Sequence, residues 1–305
     1  MGGDVTRAPI RLVVTLPSPL VELRDRAVAW MNRGHELLRR GDEASLSAAL
    51  DAYNEAIALL RHLPVAENPS WANSLGAALM NRGHLLHRRH GVTRAALALS
   101  AFDEAAALLQ PLATSDNPWP RRNLAGTLVN RANLLLDLGQ LDPACETARQ
   151  SLALTVPQER AQPLEAELAL KARRALADAL GQLLVVRNAE QDKFAREASE
   201  VVDDAFSVIR HWMAREGAAF RLLALRFFRY GVQLYRFHQP HFLAEFITEN
   251  LPRPDPEFRA LALEAIDAAH VDAPGHFLTM GDPASERRRQ TWHDLSALRA
   301  SLAEA

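Results

Sequence analysis

Residues 31–40 read MNRGHELLRR, residues 80–89 read MNRGHLLHRR, and residues 129–138 read VNRANLLLDL. Asn32, Asn81 and Asn130 therefore stand 49 residues apart. A phrase that returns at a fixed period signals a supersecondary unit that returns with it. A second device keeps the same step: Asn68-Pro69 and Asn117-Pro118 each put an N-capping asparagine before a proline at the first helical position. Ser18-Pro19 looks like the same start for a first unit, and Gln162-Pro163 and Gln239-Pro240 mark later starts less cleanly.

Each unit reads as two helices. In the second unit these run from Pro69 to His90 and from Thr93 to Leu109, with Gly91 supplying the break. Apolar or small residues recur at helical spacing, as Leu75, Leu79, Gly83 and Leu86, then Leu97, Ala101, Ala105 and Leu108. A lone hairpin cannot bury such a stripe, so consecutive hairpins must stack into an all-α solenoid.

Composition agrees with helices. Of 305 residues, 48% are apolar, Ala and Leu are abundant, and Lys171 and Lys193 are the sole lysines against many arginines. A net charge of −2 argues against a dedicated nucleic-acid surface. Cys145 is the only cysteine, which rules out an internal disulfide or a cysteine metal cage and fits a cytoplasmic setting. No apolar run reaches the length of a membrane span. Met1 to Thr6 fits a loose myristoylation template, but Asp4 is an unhelpful neighbour there, and residues 1–17 read as an unmodified tail.

Three pairs of half-motifs carry a family resemblance. Trp30-x2-Arg33-Gly34-x2-Leu37 is followed by Ala49-x3-Tyr53-x2-Ala56. Leu79-x2-Arg82-Gly83-x2-Leu86 is followed by Ala98-x3-Phe102-x2-Ala105, and Leu128-x2-Arg131-Ala132-x2-Leu135 by Gly139, Ala144 and Ala148. This resembles the tetratricopeptide repeats, whose helices follow W-x2-L-G-x2-Y and A-x3-F. The small residue admits the paired helix, and the aromatic fills the gap beyond it. The resemblance implies a right-handed superhelical solenoid over residues 18–250, with three clear repeats to about Thr155 and about two degenerate ones. Residues 251–305 are expected to cap it, with a short helix near Asp255 to His270 and a terminal helix from Asp282-Pro283 to Leu302. The chain departs from the family in its longer period and in Arg33, Arg82 and Arg131, which replace a leucine. A guanidinium on an apolar side must be paired, so each is expected to bond a carboxylate of its own hairpin, Asp51 or Glu55, Asp103 or Glu104, and Glu146, the alternative being a phosphate-binding ladder.

A second stripe of the first helices is polar. It holds Asn32, His35 and Arg39, then Asn81, His84 and Arg88, then Asn130, Asn133 and Asp137. The resemblance implies that this stripe lines a concave groove and grips a peptide. Each asparagine offers a donor and an acceptor, matching the N–H and C=O of an extended chain. His35, His84, Arg39 and Arg88 would then read acidic side chains or a free carboxylate on a protein or peptide partner, with Asp137 setting polarity.

Competing readings are weaker. His84, His87 and His90 drift around their helix and lack a further ligand, so they read as surface histidines rather than a metal site. The aromatic and basic mixture from Phe220 to His238 reads as a core face beside a solvated one, and Glu286 to Arg289 as a solvated face. No phosphate loop, HExxH or GxSxG occurs, so neither enzyme activity nor a cofactor is expected. The functional expectation is a protein-interaction scaffold. Its alternatives are a sensor for a small molecule or signalling peptide, or an RNA-binding protein or enzyme using the arginine-rich later half.

Overall fold

Capping decides where the helices begin. A computed structural model describes residues 19–114 and 117–235, with isolated helical positions between 259 and 303. The described chain runs α1 (Pro19–Arg40), α2 (Glu43–Arg61), α3 (Pro69–His90), α4 (Ala95–Leu109), α5 (Pro118–Asp137), α6 (Leu141–Thr155), α7 (Pro163–Val186) and α8 (Gln191–Tyr235). The Asn68 side chain accepts from the amides of Ser70 and Trp71, and that of Asn117 accepts from the Trp119 amide. Asp42 does the same for Ser45 at the start of α2. Pro69, Pro118 and Pro163 each occupy a position whose N–H has no intrahelical partner.

The hairpins turn at Gly41, Gly91 and Gly139, all with positive φ. At Gly91 the chain takes one 3₁₀ turn through Arg94 before α4 begins. Helices α1 and α2, α3 and α4, α5 and α6, and α7 and α8 pair as neighbours, and each pair packs on the next. This is an all-α stack of hairpins.

Small residues set the distance within a pair. Tyr53, fully buried, lies against Gly34, and Phe102, fully buried, lies against Gly83. In the third hairpin no aromatic is present on α6, and Ala132, Ala144 and Ala148 are buried together in one cluster. The stripe expected on α3 is buried at Leu75, Leu79, Gly83 and Leu86. On α4 the expected Ala101 and Ala105 are buried, but the stripe is corrected at its ends: Ala98, Phe102 and Leu109 complete it, whereas Leu97 is 49% exposed. Seating Phe102 on Gly83 fixes that rotation.

Beyond the third hairpin the phrase fades but the packing continues. Helix α7 is buried on most sides, with Ala166, Ala169, Ala172, Ala175 and Ala179 allowing close approach. It also buries Arg173, which bonds both oxygens of Glu159 at 2.5 and 3.1 Å. Trp212 of α8 donates to the Glu159 carbonyl at 2.7 Å and ties the last hairpin to the same turn. Helix α8 runs unbroken from Gln191 to Tyr235 and pairs with α7 as a fourth hairpin. Arg299 bonds Asp267 at 2.6 Å, joining positions that fall within the two expected capping helices, and Leu263 packs against the core of the last two hairpins.

Several sequence expectations lie outside the described residues: the 1–17 tail with its myristoylation template, Ser18, the Gln239-Pro240 start, Asp282-Pro283 and the 286–289 charge run. The side chains of the Phe220 to His238 segment lie outside them too. No described helix is long and apolar enough to cross a membrane.

The arginine column is corrected. Arg131 bonds Asp103 of α4 at 2.8 Å and Thr147 of α6 at 2.9 Å, and Arg82 bonds Asn54 of α2 at 2.8 Å. The partners Asp103 and Asn54 belong to the preceding hairpin. Arg33, in the first described hairpin, is exposed and forms no ion pair among the described residues. Arg82 and Arg131 therefore fasten hairpin to hairpin, and Arg131 also ties α5 to α6 of its own hairpin through Thr147 rather than Glu146.

Candidate binding cleft on the concave face

The first helices of successive hairpins touch: α3 meets α5, and α5 meets α7, while the second helices meet each other at most marginally. Closer approach on one side curves the stack toward it, so the first helices form the concave face. Contact between α1 and α3 is slighter.

A cleft of about 380 Å³ opens on this face. Helix α3 contributes His84, His87 and Arg88; α5 contributes Asn130, Asn133 and Asp137; α7 contributes Arg174, Asp178 and Gln182. Helical periodicity puts each trio on one stripe, and the stacking brings the stripes together. The carboxylate of Asp137 meets His87 Nε2 at 2.7 Å, a bond between α5 and α3 that fixes one wall. Among the described residues, no hydrogen bond or ion pair engages the side chains of Arg88, Asn130, Asn133 or Arg174.

The eight residues expected to bind a peptide divide into groups. His84, Arg88, Asn130 and Asn133 share the cleft. Asn81 does not offer its amide freely, because its Nδ2 lies 3.0 Å from His35 Nε2 and the pair ties α3 to α1. The His35 ring also stands edge-on to Tyr53, with centroids 5.7 Å apart. Loss of water contact, aided by Arg39, lowers the His35 pKa below 6.5. The neutral ring suits the acceptor role that Asn81 requires of it. Asn32 and Arg39 are exposed at the N-terminal end of the stripe, away from the cleft lining.

Sequence reasoning missed Arg174, Asp178 and Gln182. The phrase is lost in α7, but the proline starts still align: Pro118 to Pro163 is a step of 45, which carries Asn133 to Asp178 and Asp137 to Gln182. The shorter step was the signal.

The electrostatics of the cleft are mixed. His84 is held below its ordinary pKa of 6.5, first by exclusion of water and then by Arg88, His87 and Lys171. It is therefore mainly neutral at neutral pH, and the cleft's charged lining is Arg88 and Arg174 with Asp137 and Asp178. Guanidinium groups facing amides can bind a carboxylate through paired N–H donors while the amides hold adjoining polar groups.

No protein-family model and no curated protein matches the chain. Among solved structures, it is similar to a de novo designed helical repeat protein at 17% identity, over 93% of this chain and 98% of that one, with a TM-score of 0.22.

Proposed function

We propose that the chain is an interaction scaffold whose concave cleft holds a segment of another protein across α3, α5 and α7. The observation that supports this reading is the convergence of Arg88, Asn130, Asn133 and Arg174 from three successive hairpins, with no side-chain hydrogen bond to any of them among the described residues. Asn130 and Asn133 complement a peptide backbone, and Arg88 and Arg174 favour an acidic side chain or a terminal carboxylate. The resemblance to tetratricopeptide repeats points the same way. A reducing, cytoplasmic setting suits Cys145, which is buried and whose thiol pKa is pushed up to about 11.

Affinity capture from the source cell tests the reading, with the Arg88→Ala/Asn130→Ala/Arg174→Ala variant as control. Each lost charge-assisted bond costs about 1.5–3 kcal/mol, so the variant should lose its partner while keeping its helical spectrum and unfolding midpoint. Unchanged capture would overturn the assignment of the cleft. The cleft volume also lies in the range of small-ligand sites, which favours a sensor as the second reading. A saturable small molecule that changes the small-angle scattering curve would establish that alternative instead.

A further inference from the structure

The three histidines of the concave stripe are not equivalent. His35 is engaged by Asn81 of the next hairpin, and His87 by Asp137 of the hairpin after its own. The His84 ring lines the cleft and makes no hydrogen bond or ion pair among the described residues. We propose that His84 is a proton-uptake site of the cleft, so that a carboxylate-bearing segment binds more tightly as the pH falls; this rests on the scaffold reading above.

The groups around His84 explain why a ligand is needed to charge it. From its own helix come His87 and Arg88; from α5 come Asn130, Asn133 and Asp137; from α7 come Lys171, Arg174 and Asp178. From α1, His35 approaches only through Asn81, one turn away. Lys171 is bonded to Glu167 at 2.6 Å, and Asp137 is engaged by His87. Burial and the neighbouring cations keep the free ring neutral. A carboxylate seated between Arg88 and Arg174 replaces lost solvation with a counter-charge and reverses that balance. One proton then passes from solvent to the imidazole, and binding gains at most about tenfold per pH unit over the window between the two pKa values.

Calorimetry on the full chain with acetylated tetraglutamate, at pH 6.0 and 7.5 and in two buffers of different ionisation enthalpy, tests this. The peptide should bind between about threefold and thirtyfold tighter at pH 6.0, with uptake of up to about one proton. In His84→Gln the ratio of the two affinities should collapse to near one, whatever their absolute values, while His62→Gln, at an exposed position outside the cleft, should keep it. Equal affinity at both pH values, or a ratio that survives in His84→Gln, overturns the proton-uptake role and leaves the cleft reading standing. Absence of binding at both pH values overturns the acidic-partner reading and this inference together.

Discussion

A methyl group placed on Gly83 would lie 2.6 Å from Cε1 of Phe102, closer than carbon atoms approach in folded proteins. Phe102 is fully buried and has nowhere to retreat. Replacing a helical glycine with alanine gains about 1 kcal/mol of helix propensity, but overpacking a filled core costs about 1–3 kcal/mol. Overpacking should win, and Gly83→Ala should lower the urea midpoint. An added Cβ at Gly181 in α7 meets no atom within 4 Å among the described residues beyond its own helix backbone, so Gly181→Ala should raise stability by about 0.5–1 kcal/mol. Opposite signs for the two substitutions are the result to look for.

Arg82 and Arg131 occupy the same place in successive hairpins, yet one meets an amide, Asn54, and the other a carboxylate, Asp103. Asn54→Asp copies the second arrangement onto the first. The pair is partly solvated, so the gain should be about 0.3–1 kcal/mol and should shrink in high salt. Denaturation in 0.05 and 1 M salt measures both effects. A salt-independent change would mean that the new carboxylate does not pair with Arg82.

What the sequence reveals depends on how far apart the partners lie. The Asn68 and Asn117 caps act over two or three residues, and the glycine-to-aromatic contact recurs in the first two hairpins, so both are legible from local spacing. Arg131 and Asp103 are 28 residues apart and belong to different hairpins. A reading of one hairpin at a time assigns such an arginine to the wrong helix. The Asn81 amide is misread for the same reason, since only stacking brings His35 against it. Arg174 escaped because α7 keeps the geometry of a first helix while its buried face is rewritten with alanines.

The Arg173–Glu159 pair sits in the interior, with side chains 5% and 8% exposed. Removing one partner strands the other charge away from water. Arg173→Met should cost about 3–5 kcal/mol, and Arg173→Met/Glu159→Met should recover most of that loss. A double-mutant cycle by chemical denaturation reports the coupling. Additive losses would show that the pair is solvated and contributes only as packing.

His35 and His84 both have folded pKa values below the ordinary 6.5. The unfolded chain then binds more protons than the folded one at pH values below about 6.5. Their contribution to stability is complete above that pH and is lost as the pH falls through it toward the folded values. The melting temperature should therefore drop between pH 7.5 and 5.5, a range above the ordinary carboxylate titrations. His35→Gln and His84→Gln should each flatten the profile. A bound acidic peptide should also flatten it, because His84 in the complex no longer resists protonation. A flat profile in the unliganded wild type would refute the assignment of both rings as neutral.

Asn81 and Asn130 are 49 residues apart in equivalent places, and they should respond differently to the same change. The Asn81 amide bonds His35 across the seam between the first two hairpins, whereas Asn130 lines the cleft and has no partner among the described residues. Asn81→Ala removes a tie and leaves a partly covered ring nitrogen, so it should cost about 0.5–1.5 kcal/mol of stability. It should also raise hydrogen exchange in α1 ahead of the later helices, because α1 has little other contact with α3. Asn130→Ala should leave the unfolding midpoint within about 0.5 kcal/mol and weaken capture of the partner. If Asn81→Ala leaves stability untouched and abolishes capture, the asparagines form one continuous binding column, and the His35 bond gives way when the partner arrives. If Asn130→Ala destabilises the stack as Asn81→Ala does, the column is a structural seam throughout, and the partner is held by Arg88 and Arg174 alone.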